Sequence, residues 1–305
     1  ALVMVADGGS TDDTREMAKE FEIKPWQEKI VSIYRGPAGK GTALRSIFEA
    51  ADRLDAASCM VVDSDLRSIT AEWVKSLLDP VLNHGYDFVT PIYTRYKYDG
   101  TITNNITYNL TRALYGKRIR QPIGGDFAFS PACFRYLLAQ DVWDTDVARF
   151  GIDIWITTSA IINQFKICQS HLGVKIHDAK DPASHLAAMF LQVIGTLFSL
   201  MEKNEHYWKQ IKGSTPTVIF GTPGNVKPEP IRVDKELLVS RFKSGYRNFG
   251  VLYVKIFTPE CFQMIRKAAR LSPNRFMFGT DTWVRTLYEL ASTYHKWAHN
   301  RHRLL

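Results

Sequence analysis

The stretch Cys59-Met60-Val61-Val62-Asp63-Ser64-Asp65 decides the fold. Its first four residues are apolar and partly β-branched, as in a strand buried on both faces. The run then ends on two aspartates one residue apart. Carboxylates released together into a crevice at the end of a strand can share a divalent cation, and that cation can hold a diphosphate. An Asp-x-Asp tripeptide also arises by chance about once in a chain of this size. It could equally be a loop that caps the next helix, near Ile69-Thr70. The neighbouring sequence has to decide.

Upstream, Leu2–Val5 reads as a strand. Asp7-Gly8-Gly9-Ser10-Thr11-Asp12-Asp13-Thr14 follows as a turn opening a helix, with Ser10 or Thr11 at the N-cap and acidic residues in the first turn. Ile30–Ile33 is a second strand. Gly36-Pro37-Ala38-Gly39-Lys40-Gly41 then leads into a helix reaching about Leu54. Downstream of the Asp pair come a helix from about Thr70 to Asn83 and a strand over Asp87–Tyr93. Strands alternating with helices predict a mostly parallel α/β sheet covered on both faces, with ligands at the carboxyl ends of its strands. Both glycine-rich turns and the Asp pair lie at such ends, so one crevice could gather all three. Thr103–Leu114 and Phe134–Ala139 read as helices, Phe150–Ile162 as a helix or strand-to-helix turn, and Val174-Lys175-Ile176-His177 as a last strand. From about Ser184 the pattern is mainly helical, broken by a turn-rich loop over Lys212–Glu229. A catalytic domain over 1–184 and a helical region over 185–305 are expected. The chain opens directly on a strand that needs sheet neighbours, which predicts a preceding βα unit.

Composition narrows the function classes. The 305 residues are 45% hydrophobic and 23% charged, with seven Trp, which argues for a globular enzyme rather than disorder. The net charge of +8 suits an anionic substrate and equally a nucleic acid or acidic membrane. Its scatter, apart from Lys117-Arg118-Ile119-Arg120 and Arg301-His302-Arg303, favours solubility over a nucleic-acid stripe. Cys59, Cys133, Cys168 and Cys261 form no paired motif. They read as small core residues in a reducing, cytoplasmic setting. The apolar stretch Leu186–Met201 is short for a bilayer and reads as a core helix.

Single residues carry chemistry only in combination. Lys40 between glycines lets the backbone approach a phosphate while the ammonium neutralises it, although a plain exposed turn is equally consistent. The stretch is not a P-loop, because Gly41 stands where Ser or Thr is required. His177 closes an apolar run and is chemically sound as a third metal ligand, yet a lone His there is more often structural. Gly124-Gly125-Asp126 could set backbone N–H groups and a carboxylate against a polyhydroxy substrate, or be a tight turn with a helix cap. Asp153 sits among apolar residues and needs a partner or a task.

In their order, Asp7-Gly8-Gly9-Ser10-Thr11-Asp12-Asp13-Thr14, Gly39-Lys40-Gly41 and Asp63-Ser64-Asp65 resemble the GT-A glycosyltransferases, which use nucleotide sugars. Three later stretches narrow the resemblance: Gln121-Pro122-Ile123-Gly124-Gly125-Asp126, Gly151-Ile152-Asp153 and Gly173-Val174-Lys175-Ile176-His177. They are similar to the glucosyl-3-phosphoglycerate synthases and mannosylglycerate synthases, over roughly residues 1 to 200. The resemblance implies a GT-A fold, a Mg²⁺ or Mn²⁺ ion, and a donor such as UDP-glucose, GDP-glucose or GDP-mannose. It also implies a homo-oligomer. Asp7 and Gly8 would contact the nucleotide, and Gly39, Lys40 and Ser64 would line its diphosphate. Asp63 would face the ribose and the metal's water shell. Asp65 would bind the metal with His177. Gly124, Gly125 and Asp126 would border sugar and acceptor, and Asp153 would orient hydroxyls, with retention of anomeric configuration.

Three departures qualify the resemblance. The first βα unit is missing, Asp178 follows His177 where the family has basic and amide side chains, and Asp126 replaces a Glu common in near relatives. The expected activity is transfer of a hexose, glucose by preference, to glycerate or 3-phosphoglycerate, with Arg95, Lys97, Arg118 and Arg120 as candidates for the acceptor's charge. The rivals are an inverting glycosyltransferase building a polysaccharide or glycolipid, a non-catalytic nucleotide-sugar sensor, and a basic nucleic-acid-binding module.

Overall fold

The structure, a computed structural model, describes residues 1–176, 182–297 and 301. Its elements run β1 (Leu2–Asp7), α1 (Thr14–Glu20), β2 (Glu28–Ile33), α2 (Lys40–Arg53), β3 (Cys59–Val61), α3 (Ala71–His84), β4 (Phe88–Thr94) and, after a π-helical turn at Thr103–Thr107, α4 (Tyr108–Tyr115). There follow β5 (Lys117–Arg118), β6 (Phe127–Phe129), α5 (Pro131–Leu138), α6 (Ile152–Ile162), β7 (Ile167–Val174), α7 (Pro182–Lys203), α8 (Glu205–Trp208), β8 (Thr215–Pro216) and β9 (Val218–Phe220). The chain closes with α9 (Lys235–Ile256), α10 (Pro259–Arg270) and α11 (Thr280–Lys296).

Five strands form the central sheet in the order β3-β6-β4-β7-β9. The β4–β7 and β7–β9 pairs are parallel, while β6 runs antiparallel to both β3 and β4. The sheet is therefore mixed at β6, a strand that sequence reading left unassigned. β1 and β2 pair in parallel and, among the described residues, form a separate two-stranded sheet. Side chains alternate across the central sheet as the pleat requires. Phe88, Phe127 and Phe129 point to one face, where they meet Leu44 and Phe48 of α2, Phe134 of α5 and Trp155 of α6. Val89 and Ala128 point to the other, against Trp73 and Leu77 of α3. Phe48 packs edge-on to Phe129 with ring centroids 5.1 Å apart. Each fully buried ring of this kind is worth roughly 1.5–3 kcal/mol over leaving it in water, so both layers are anchored on the short strands that end at the site.

Local signals explain the helix ends. Ser130 caps α5 by accepting from the Cys133 N–H at 3.2 Å, with a proline in the first turn. Gly85 ends α3 in the left-handed region at φ 66°. The last strand lies earlier than its apolar tail suggested. β7 spans Ile167–Val174, and Lys175 follows it. Polar Gln169 and Ser170 hide this strand in the sequence, yet both are buried. The Gln169 amide is satisfied by the Arg120 N–H, the Arg118 carbonyl and the Thr217 hydroxyl. The segment expected to be a loop contains β8 and β9.

The chain divides into two compact units, 1–230 and 231–305. The expected boundary position, 184–185, lies inside α7, a helix of 22 residues that contacts α6 and buries Val193, Ile194, Leu197 and Phe198. Its window Leu186–Lys203 is long and apolar enough to cross a bilayer, and 44% of it is buried in the protein. The second unit is a three-helix cluster around Ile256, Phe257, Cys261 and Ile265. Asp234 caps α9 and Thr258 caps α10. All four cysteines are free and buried, as core residues should be.

Candidate active site

The carboxyl ends of β3 and β7 and the first turns of α2 and α6 converge on one cluster. Lys40 opens α2. Its approach depends on Gly39 and Gly41, which lie directly against the segment 147–149. A Cβ on Gly39 would stand 2.5 Å from the Ala148 carbonyl oxygen, and one on Gly41 1.8 Å from that of Val147. The Gly41 N–H donates to the Arg149 carbonyl at 3.2 Å. Docked this way, the Lys40 ammonium lies 2.7 Å from Asp63 Oδ1 and donates to Asp153 Oδ2 at 3.1 Å. Asp153 Oδ1 is equally near, at 3.1 Å, but is not aligned to accept and has no hydrogen-bond partner among the described residues. Asp153 thus makes an internal ion pair from the first turn of α6.

A second lysine completes the cluster. Lys175, just past β7, is buried and donates to Asp63 Oδ2 at 3.0 Å, to Asp126 Oδ2 at 2.8 Å and to the Gly124 carbonyl at 2.9 Å. Asp126 is 0% exposed. Its Oδ1 accepts the Asp63 backbone N–H at 2.9 Å, and its Oδ2 also accepts the Tyr93 hydroxyl. Asp126, expected to border the sugar and acceptor, has both carboxylate oxygens engaged within the protein. It fixes the Asp63 backbone. Gly125 has φ +87°, and a Cβ there would stand 2.1 Å from Asp63 Oδ2. Gly124 offers its carbonyl to Lys175, and its α-carbon packs on Pro91.

Electrostatics follow from these contacts. Burial alone pushes Asp63 up, but Lys40 and Lys175 override it and hold the carboxyl far below the usual range. Burial likewise opposes the Lys40 charge, and Asp153 and Asp63 override it, raising the ammonium well above its ordinary value. Asp153 moves the other way, because burial raises its pKa more than Lys40 lowers it. Tyr93 is pushed well up by burial and by the Asp126 charge.

The first glycine turn reaches the same crevice through Tyr34. Its hydroxyl accepts the Gly39 N–H at 3.0 Å and would lie 2.7 Å from a Cβ on Gly8. Asp7 is buried, and its carboxylate serves its own turn. It accepts the Gly9 N–H at 2.8 Å, the Ser10 N–H at 2.9 Å and the Ser10 hydroxyl. Those bonds, the Ser10 hydroxyl first, hold its pKa low. Asp7, expected with Gly8 at the nucleotide, thus shapes the turn that carries Gly8. Gly8, Ser64 and Asp65 are exposed. His177 and Asp178 lie outside the described residues. The Arg67 N–H donates to the Ile176 carbonyl at 2.9 Å, so the chain just before 177 runs beside the turn that carries Asp65.

Among the described residues no group of three His, Cys, Asp or Glu could hold a metal. The donor set nonetheless fits Mg²⁺ or Mn²⁺. Asp65 is exposed on the turn after β3 and offers the hard carboxylate oxygen that these ions take. Mg²⁺ also keeps several waters and needs only one or two carboxylates beside substrate phosphates. Asp65 and, by the resemblance, His177 would hold it, with Asp63 kept off by its two lysines. Sequence reading missed Lys175 and Tyr93. The available signal was a lysine between Val174 and Ile176, which must find carboxylates if buried.

Residues 3–144 match the model of glycosyl transferase family 2. The glucosyl-3-phosphoglycerate synthase of Petrotoga mobilis is 26% identical over 214 residues, 66% of this chain and 63% of that protein. The glycosyltransferase AglJ of Haloferax volcanii is 30% identical over 140 residues, 44% of this chain and 43% of that protein. The chain thus spans less than two thirds of the length of either relative. Among solved structures, the glucosyl-3-phosphoglycerate synthase of Mycobacterium tuberculosis, in complex with Mn²⁺, UDP-glucose and phosphoglyceric acid, aligns at a TM-score of 0.51 and 26% identity. That alignment covers 65% of this chain and 68% of the other. Residues 3–144 thus resemble a glycosyl transferase family 2 domain, and the chain shares the fold of the GT-A glycosyltransferases.

Proposed function

We propose that the protein is a metal-dependent retaining glycosyltransferase. It moves a hexose, glucose by preference, from a nucleoside diphosphate sugar to glycerate or 3-phosphoglycerate. The observation that carries this is Lys40, a partly exposed ammonium held 2.7 Å from the first Asp of the Asp-x-Asp turn and 3.1 Å from Asp153. Breaking the glycosidic bond sends negative charge onto the diphosphate, and a cation fixed where that charge develops lowers the barrier. A divalent ion bound at Asp65 supplies Lewis-acid stabilisation of the same charge. Lys40 stays protonated and moves no proton. Asp153 orients hydroxyl groups beside it, and the acceptor hydroxyl gives its proton to a departing phosphate oxygen on the same face of the sugar. Asp126, with both oxygens engaged, holds the Asp63 turn rather than attacking the sugar. The relatives whose names include phosphoglycerate support the acceptor class, and the solved complex supports a UDP-sugar with Mn²⁺ or a similar ion.

A second reading is inverting transfer to a polysaccharide or lipid acceptor. It needs a carboxylate base, and Asp153, whose pKa is raised by burial, is the candidate. The product anomer separates the two: an α-linked product from an α-linked donor supports retention, and a β-linked product sinks it.

A further inference from the structure

Two of the arginines that are candidates for the acceptor's charge, Arg95 and Arg120, lie beyond Tyr93 and outside the Lys40–Asp63–Asp153 cluster. Arg95 lies over the Tyr93 ring, 5.1 Å from its centroid, and Lys175 lies over the same ring at 5.0 Å. Contacts therefore run Lys40–Asp63–Lys175–Tyr93–Arg95, with Lys40 and Arg95 at opposite ends. Arg120 reaches the turn beside Arg95 through Asn104. Asn104 Oδ1 accepts from Arg120 Nη2 at 2.7 Å. A Cβ on Gly100 would stand 3.3 Å from Arg95 Nη1 and 3.9 Å from the Asn104 amide nitrogen, so both side chains border the Gly100 turn. Arg120 also stacks over Tyr108 at 5.2 Å. The π-helical turn Thr103–Thr107 that presents Asn104 is a distortion common at functional sites.

The charge on these two guanidinium groups is incompletely answered. Arg95 faces one carboxylate, Asp99, at 3.5 Å. Arg120 is held by an amide and a ring, and among the described residues it forms no ion pair. Arg95 Nε and Arg120 Nη1 are shielded from water and have no hydrogen-bond partner among the described residues. Desolvated, ring-oriented guanidinium groups present a planar fork that matches a carboxylate or phosphate.

We propose that Arg95 and Arg120 form the subsite for the acceptor's anionic group, a carboxylate or a phosphate monoester, at the end of the cluster away from Lys40. This rests on the transfer to a small anionic acceptor argued above, and it names the residues that read the acceptor's charge. Asn104 sets the angle of Arg120, and Asp99 limits how far Arg95 can swing.

The test is isothermal titration of the full chain with 3-phosphoglycerate, with glycerate and with glycerol 3-phosphate, each beside a separate titration with UDP. Arg120→Ala is expected to weaken the acceptor affinity by about tenfold or more while UDP affinity stays within about twofold. Arg120→Lys restores part of the loss. If the glycerate affinity depends on Arg120, the carboxylate is the group held; if that of glycerol 3-phosphate does, it is the phosphate. Arg95→Gln gives the same acceptor-selective loss, and it serves as the test should Arg120→Ala lose its circular dichroism signal. The subsite is overturned if the wild type binds none of the three anions, if neither variant changes their affinity, or if UDP affinity falls as far as acceptor affinity. The transferase reading fails on a different result, a wild type that neither binds nor hydrolyses any nucleotide sugar.

Discussion

Lys40 and Asp153 open two different helices, and the ammonium of one lies 3.1 Å from both carboxylate oxygens of the other. The pair locks α2 to α6 and leaves a cation at the mouth of the Asp-x-Asp turn. The same lysine holds Asp63, so it is both a structural tie and the charge that a diphosphate would meet.

Replacing Lys40 by Ala is therefore expected to lower kcat for sugar transfer about 10²–10³-fold, the usual cost of losing one preorganised charge donor. Transfer assayed by nucleotide release reads this directly. Retention of more than about half the rate would remove Lys40 from the chemistry.

Lys175 has a different weight. Its ammonium answers Asp126, which has no exposure at all, and half of Asp63. Lys175→Met leaves a buried carboxylate unpaired, which costs about 3–5 kcal/mol. Thermal melting is expected to shift down by roughly 10 °C. A shift below about 2 °C would mean that the Lys175 ion pairs do not hold the fold together.

The pH dependence of stability has two limbs. Burial raises the Asp63 pKa, but its lysines depress it further, so its contribution is present above about pH 4 and fades as pH falls below that. Lys40 is raised by its carboxylates against burial, so its contribution is full below about pH 10 and fades as pH rises beyond. Urea midpoints across pH, compared with Asp63→Asn and Lys40→Met, check the assignment. Asp63→Asn should flatten the acid limb, and Lys40→Met the alkaline one.

Gly125 makes a sharper test of geometry. At φ +87°, with Asp63 Oδ2 2.1 Å from where a Cβ would sit, Gly125→Ala must displace the carboxylate or strain the loop. We expect loss of transfer and a lower melting temperature. Gly9→Ala serves as the comparison, because Gly9 shares a positive φ but has no neighbour within 4 Å of the added methyl. Equal effects from the two would place the cost in backbone conformation alone.

Much of this was legible in the sequence, for reasons that differ from residue to residue. The strand Cys59–Val61 and the helices flanking it announce themselves by local periodicity and caps. The meeting of Lys40, Asp63 and Asp153 follows from their places at strand ends and helix starts. Lys175 and Tyr93 reach Asp126 across 49 and 33 residues of chain, and no local pattern encodes such a contact. β7 was displaced in the reading because Gln169 and Ser170 break its apolar run, the Gln169 amide being met by tertiary partners rather than by water. Asp7 and Asp126 were read as ligand contacts. A carboxylate looks the same in sequence whether it serves a ligand or its own loop.

The most direct test is one-pot turnover: full chain, Mn²⁺, UDP-glucose and 3-phosphoglycerate, with the product read by NMR for its anomeric linkage, for wild type and Asp65→Ala and with metal chelated. The account predicts an α-linked glucosyl product from the wild type, abolished by chelation and by Asp65→Ala. Undiminished transfer by Asp65→Ala with Mn²⁺ present, or a chelator-insensitive wild type, would contradict it.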